Sequence, residues 1–224
     1  MYNGSRASLD TETTKTDCAF CQRHEIAPYI LKETARFRIV ADHAPLVEGH
    51  LLIMPRHHYA CYGAVPAGLD KELLMLKREV QEFLAQFYAP VIFWEHGIFR
   101  QTVFHAHLHC FPFGDITYDL SKELHEEVIQ SQHDIRAWYI SRGHYFFLQD
   151  RHHALLFPPQ MDTYVRIIQE VLWSGASARN GHTSWRSSQQ RYEEGRAQIA
   201  SMIAKWRVFQ EQQGVRHADE AGTR

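Results

Sequence analysis

The chain has 224 residues, 45% of them hydrophobic, enough for one sizeable core or a core domain with an elaborated second half. A formal net charge of −2 gives no reason to expect a nucleic-acid scavenger or a membrane-surface protein. No apolar run approaches the ~18–20 residues of a membrane span, the first residues lack the apolar stretch of a signal peptide, and four cysteines at this length do not make a secreted disulfide framework, so a cytoplasmic protein is expected.

Residues 1–16 are rich in Thr, Ser, Asp and Lys and read as a disordered leader. Cys18-Ala19-Phe20-Cys21 follows, a spacing that suits half of a metal knuckle, a redox pair or two unliganded thiols. A redox pair would open a helix in a βαβ unit, and none is visible. Zinc needs two more ligands, and histidines are plentiful. Tyr29-Ile30-Leu31 and Phe37–Ala41 read as short strands with turn material between them. Asp42 closes the second strand, where a carboxylate can simply cap a turn. Leu51–Met54 is a continuous apolar run, as expected of a strand buried on both faces.

From Pro66 to Tyr88, Leu69, Leu73, Leu76, Val80, Phe83 and Phe87 recur at helical spacing, a core-facing stripe. Val91–Gly97 is the next strand. Soon after it comes Gln101-Thr102-Val103-Phe104-His105-Ala106-His107-Leu108-His109-Cys110-Phe111-Pro112. Histidine on every second residue implies a strand with His105, His107 and His109 on one face and Phe104, Ala106 and Leu108 turned into the core. Imidazoles so aligned are costly unless water, metal or an anion satisfies them. In the second half, Ser121–Gln130 suggests a short helix capped by Ser121. Arg136–Ile140 and Tyr145–Leu148 suggest a hairpin turning at Arg142-Gly143, and Ala154–Phe157 a further strand. Met161–Trp173 reads as a helix, residues 174–182 as a loop, Ser187–Phe209 as a last helix, and the residues after Gln210 as a flexible tail.

The triad stretch resembles the signature of the histidine triad (HIT) superfamily. The resemblance extends through Asp42 to His58, with its Gly49-His50 and Pro55-Arg56-His57-His58, and through the paired cysteines. It covers residues 17–114. It implies an α+β HIT-like fold: a mainly antiparallel sheet of about five strands with a long helix, here with an α/β C-terminal extension. The expected organisation is a leader to residue 16, a HIT domain over 17–118, an extension over 119–209 packed on it, where it could lid the active site, and a tail over 210–224. The resemblance also implies a homodimer, which the residues themselves do not show.

For chemistry, it makes His107 the nucleophile that attacks the α-phosphorus of a nucleotide, giving a covalent nucleotidyl-imidazole that water or another acceptor resolves. His109 and Gln101 join it as catalytic residues, while Asp42 would hold ribose hydroxyls and His50 and Thr102 the substrate phosphate. In the bacterial branch that this chain resembles, the cysteine pair binds structural zinc with two histidines, which here are Cys18, Cys21, His58 and His105. His57 competes with His58 for that place. The sequence departs from the family where Glu95-His96 and a short loop with Arg100 replace an Asn and a glycine-rich loop. Three functions follow as expectations: a nucleotidyl hydrolase or transferase acting on a phosphoanhydride or phosphoramidate such as a diadenosine polyphosphate, a non-catalytic purine-nucleotide-binding module, or a nucleic-acid 5′-adenylate-removing enzyme. The last needs a basic patch, and the arginines from Arg136 to Arg191 are interleaved with acids, so nucleic acid is not expected as a partner.

Overall fold

The two most strand-like stretches, Phe37–Ala41 (β2) and Leu51–Pro55 (β3), pair antiparallel with Ile39 opposite Ile53 and Ala41 opposite Leu51. A computed structural model describes residues 14–120, 126–180 and 187–222 around them. Ile30–Glu33 (β1) lies outside β2, Leu108–Phe111 (β5) inside β3, and Ile92–Glu95 (β4) beside β5. Glu127–Val128 (β6), Phe146–Gln149 (β7) and Ala154–Phe157 (β8) continue the same sheet, in the order β1-β2-β3-β5-β4-β7-β8-β6. The sheet therefore has eight strands rather than the five expected. β7 adds to the edge that β4 would otherwise expose, and covering an edge removes an aggregation-prone row of unpaired backbone groups.

Side chains alternate across this sheet. On one face Ile39, Ile53, Phe93, Leu108, Cys110, Phe147 and Leu156 meet the long helix Asp70–Phe87 (α2) and the last helix Ser188–Gly222 (α6). α2 contributes Leu73, Leu76, Val80, Phe83 and Leu84, while α6 contributes Ile199, Met202, Trp206 and Phe209, whose three-to-four spacing makes one stripe. Fully burying each such side chain stabilises the fold by about 1.5–3 kcal/mol. The opposite face is split. Val40, Leu52 and Met54 pack with Ile26 from Arg23–Ile26 (α1), whereas Ile92, Trp94, Phe111, Phe146 and Leu148 pack with Ile167, Val171 and Leu172. His109 pairs with Leu52 on one side and Trp94 on the other, so it stands in the gap between the two clusters. That gap is the site.

Elsewhere local chemistry overrides the sequence pattern. Residues 121–125 of the expected helix lie outside the described residues, and 127–128 are strand. Arg136–Ile140 is not a hairpin arm but part of helix Gln132–Arg142 (α3). The Asp134 carboxylate accepts the N–H groups of Gln130 and Ser131 at 2.9 Å each and so starts the helix. Ile135 and Trp138 are its buried face, and Gly143 at φ +82° ends it where a hairpin turn was expected. Met161–Ile167 (α4) continues as a π-helical turn, Ile168–Trp173, and then as Ser174–Asn180 (α5) in place of the expected loop. Gly175 lets α5 lie directly against the Phe113 ring, where a side chain would collide. α6 runs on to Gly222. Among the described residues no helix is long and apolar enough to cross a membrane.

One charge is buried in the main core. Glu95 is 1% exposed and accepts hydrogen bonds from the Tyr62 N–H and the Tyr145 hydroxyl, both at 2.7 Å. Burial pushes its pKa up to about 7 against these two bonds and Lys77, all of which favour the carboxylate. A folded pKa above the ordinary 4.5 means the folded state holds this proton more tightly, so the contribution to stability is present below pH 4.5 and lost as pH rises through about 7. Glu95→Gln is expected to remove that slope. Urea midpoints at about pH 5 and about pH 8 should show wild type losing up to about 3 kcal/mol relative to the variant. A difference that does not change with pH would contradict this.

Candidate active site

The strand carrying the triad is shorter than its period-two pattern implies. Only Leu108–Phe111 joins the ladder; before it Ala106 N–H donates to Tyr59 O at 2.6 Å and His105 N–H to Val103 O at 2.8 Å. Ala106 and Leu108 are buried in the core as expected, but Phe104 is 59% exposed. The loop that aims this segment is strained. Gly97, Ile98 and Arg100 have φ of +52°, +88° and +59°, and a β-branched Ile there is costly. Gln101 holds the loop. Its amide oxygen accepts Ile98 N–H at 3.1 Å, and its amide nitrogen donates to the carbonyls of Val103 and His105 at 2.7 and 2.8 Å. Its amide nitrogen also lies 3.3 Å from His107 Nδ1.

His107 is buried, and its Nδ1 lies 2.6 Å from the His105 carbonyl. A carbonyl only accepts, so Nδ1 carries the proton and Nε2 keeps its lone pair. His109 Nδ1 lies 2.9 Å from His50 Nε2, and His50 Nδ1 accepts Leu46 N–H at 3.4 Å. That order leaves His50 donating to His109, and His109 with an Nε2–H free to donate. Neighbouring imidazoles thus present opposite functions, a lone pair on His107 and a donor on His109, with ring centroids 4.8 Å apart. Burial, first among the causes, lowers the pKa of His107, holds His50 at about 4 and places His109 well below the usual imidazole range. All three are neutral near pH 7.

Asp42 lies 3.7 Å from His50 Nε2, and one of its oxygens also accepts Ala44 N–H at 2.8 Å, so it caps its turn while keeping an oxygen toward the site. Thr102 follows Gln101 at the start of the triad segment. It is exposed on a cleft of about 500 Å³ lined also by Lys15, Cys18 and His58.

Cys18, Cys21, His58 and His105 come together with all four donor atoms within 4.8 Å. His58, not His57, is the histidine brought there. Cys18 Sγ is 3.6 Å from His105 Nδ1, and Cys21 Sγ is 3.5 Å from both His58 Nδ1 and His105 Nδ1. Tetrahedral zinc with Zn–N of about 2.1 Å and Zn–S of about 2.3 Å requires N···S edges of about 3.6 Å. His105 Nε2 donates to Pro55 O at 2.8 Å, which fixes the tautomer that frees Nδ1 for a metal. The donor set fits.

Sequence reasoning missed three neighbours. His96, just beyond β4, stands 5.8 Å from His109, and burial holds its pKa at about 4. Tyr164 of α4 lies 5.8 Å from His96. From α6, Arg191 donates to Ala44 O at 3.0 Å and acts electrostatically on both Asp42 and His50. His96 had two signals, its place where the family carries an Asn and its position after Trp94, which pairs with His109; the two extension residues had none.

A family model described as HIT domain matches residues 23–115. An adenosine 5′-monophosphoramidase of Candida albicans is 30% identical over 108 residues, covering 44% of this chain and 71% of that protein. Among solved structures, a HIT family hydrolase from Clostridium thermocellum matches with 23% identity and a TM-score of 0.40, over 48% of this chain and 99% of that one. A zinc-bound histidine triad family protein from Mycobacterium smegmatis matches with 24% identity and a TM-score of 0.38, over 54% and 91%.

Proposed function

The chain belongs to the HIT family, and from that premise we propose that it cleaves a nucleoside 5′-phosphate from its leaving group by attack of His107 Nε2 on the α-phosphorus. The observation that carries this reading is the clamp of His107 Nδ1–H on the His105 carbonyl, which turns a neutral, lone-pair nitrogen to the site. As the new N–P bond forms and the leaving group departs with its electron pair, His109 Nε2–H would stabilise the charge growing on the phosphate oxygens, backed by His50. Asp42 would receive the ribose hydroxyls. Water then breaks the N–P bond, and a nucleoside monophosphate leaves with His107 restored.

Cys18, Cys21, His58 and His105 would hold zinc, which as a four-coordinate structural ion ties the N-terminal knuckle to the triad segment. For a homodimer that adds strand to strand, β1 and β6 are the open edges, since β4 is flanked by β5 and β7. The adenylate-removing alternative is disfavoured because Arg136, Arg142, Arg166 and Arg179 are each paired with a carboxylate, which weakens the field a nucleic-acid backbone would meet.

Chromatography of reactions with adenosine phosphoramidate and dinucleoside polyphosphates tests the reading. Release of AMP is expected. Nucleotide binding with no release from any substrate would replace it with the binding module.

A further inference from the structure

Residues 42–50 join β2 to β3 and carry Asp42 and His50, and the C-terminal extension grips this loop at every second residue from Ala44 to Glu48. Arg191 Nε of α6 donates to Ala44 O at 3.0 Å, and Asn180 Nδ2 at the end of α5 donates to Leu46 O at 2.7 Å. Ser201 Oγ and Lys205 Nζ of α6 donate to Glu48 Oε1 at 2.7 Å each, beside the Tyr88 hydroxyl at 3.0 Å. Asn180, Arg191, Ser201 and Lys205 all lie beyond residue 115, where the family match ends. Leu46 is the middle of the grip. Asn180 holds its carbonyl, and its N–H lies 3.4 Å from His50 Nδ1. The His50 ring is stacked on Phe111 with centroids 4.2 Å apart, which fixes its plane, so what Leu46 adds is a choice of tautomer.

Two neutral imidazoles that share one hydrogen bond have two arrangements. With the shared proton on His50 Nε2, His109 accepts through Nδ1 and presents Nε2–H to the phosphate. With that proton on His109 Nδ1, His50 carries its own proton on Nδ1, and His109 Nε2 is left with a lone pair that would repel a phosphate oxygen. Leu46 N–H, pointed at His50 Nδ1, excludes the second arrangement, and the Asp42 carboxylate 3.7 Å from His50 Nε2 favours the first as well. We infer that the extension is a strap on this loop, and that Asn180 and Arg191 are positioning residues which act through Leu46 and His50 to keep His109 a hydrogen-bond donor. The effect on rate rests on the nucleotidyl-transfer reading; the tautomer does not. A strap of this kind makes α5 and α6 part of the working site rather than an appendage to it.

Long-range proton–nitrogen NMR spectra of the isotopically labelled full chain read which nitrogen of each imidazole is protonated, and His50→Gln and His109→Gln assign the two signals. Wild type is expected to show both rings protonated at Nε2. In Asn180→Ala, and in Asn180→Asp, which keeps the shape but loses the N–H, the two signals should move toward the second arrangement. Arg191→Gln, which loosens the same loop at Ala44, should shift them the same way and serves as an independent probe. Turnover of adenosine phosphoramidate should fall with the signals, kcat dropping about tenfold or more, as small misplacements of a reacting group do. A proton on His50 Nδ1 in wild type would overturn the inference. So would wild-type tautomers in every variant, including variants that melt earlier, since the strap would then serve stability alone. Asn180 makes one bond at a helix end, so its variants are expected to fold. Signals that shift as expected in a protein that turns over no nucleotide would sink the hydrolase reading and leave the strap standing.

Discussion

Replacing His107 by Ala is expected to lower turnover by about 10³-fold or more, a loss of about 4 kcal/mol in transition-state stabilisation. Without the imidazole the covalent route is closed, and water would have to attack the phosphorus directly. The variant should fold. His107 sits in the gap between the two small clusters rather than inside either of them, and its clamp to the His105 carbonyl is one hydrogen bond. Gln101 still donates to that carbonyl at 2.8 Å, so the acceptor is not orphaned. Melting temperature and nucleotide affinity near those of wild type, with turnover lost, is the expected pattern. Turnover within about tenfold of wild type would remove His107 from the nucleophile role.

The second large effect concerns the Cys18, Cys21, His58 and His105 cluster. Protein purified without chelator is expected to carry one zinc per chain, and stripping it should lower the melting temperature by roughly 10 °C or more. The donors come from three segments, Cys18 being 87 residues from His105, so a metal here closes a long loop. Without an ion the arrangement is poor. Burial raises the pKa of the Cys18 thiol, and the donors are left to bond weakly to one another. Cys21→Ser should bind zinc far less tightly and melt as the stripped protein does. Activity should fall as well, because the carbonyl that orients His107 belongs to His105, a proposed ligand. Zinc well below one per chain, with the same melting temperature after chelation, would defeat the assignment.

Much of the first half was legible because its signals are local. Leu51–Met54 announced a strand buried on both faces, and α2 its apolar stripe, since burial period and backbone period coincide there. The triad's alternation pointed Ala106 and Leu108 into the core even though the ladder starts only at Leu108. What failed depended on partners distant in sequence. The aromatic stretch around Trp138 has strand propensity, but the Asp134 cap and Gly143 make it helix, and the small residues of α5 looked like a loop until Phe113 supplied the surface they fit. For the same reason β7 and β8 were foreseen as strands but not as additions to the first sheet, where the extension brings Tyr164 and Arg191 to the site.

The central claim is that His107 forms a bond to phosphorus. Intact-protein mass spectrometry after brief incubation with diadenosine polyphosphates and adenosine phosphoramidate, quenched at alkaline pH to preserve P–N bonds, tests it most directly. The account predicts one nucleoside-monophosphate adduct per chain, mapping to His107 by fragmentation and absent from His107→Ala. Turnover accompanied by an adduct on another residue, or by an unchanged adduct in His107→Ala, would contradict it.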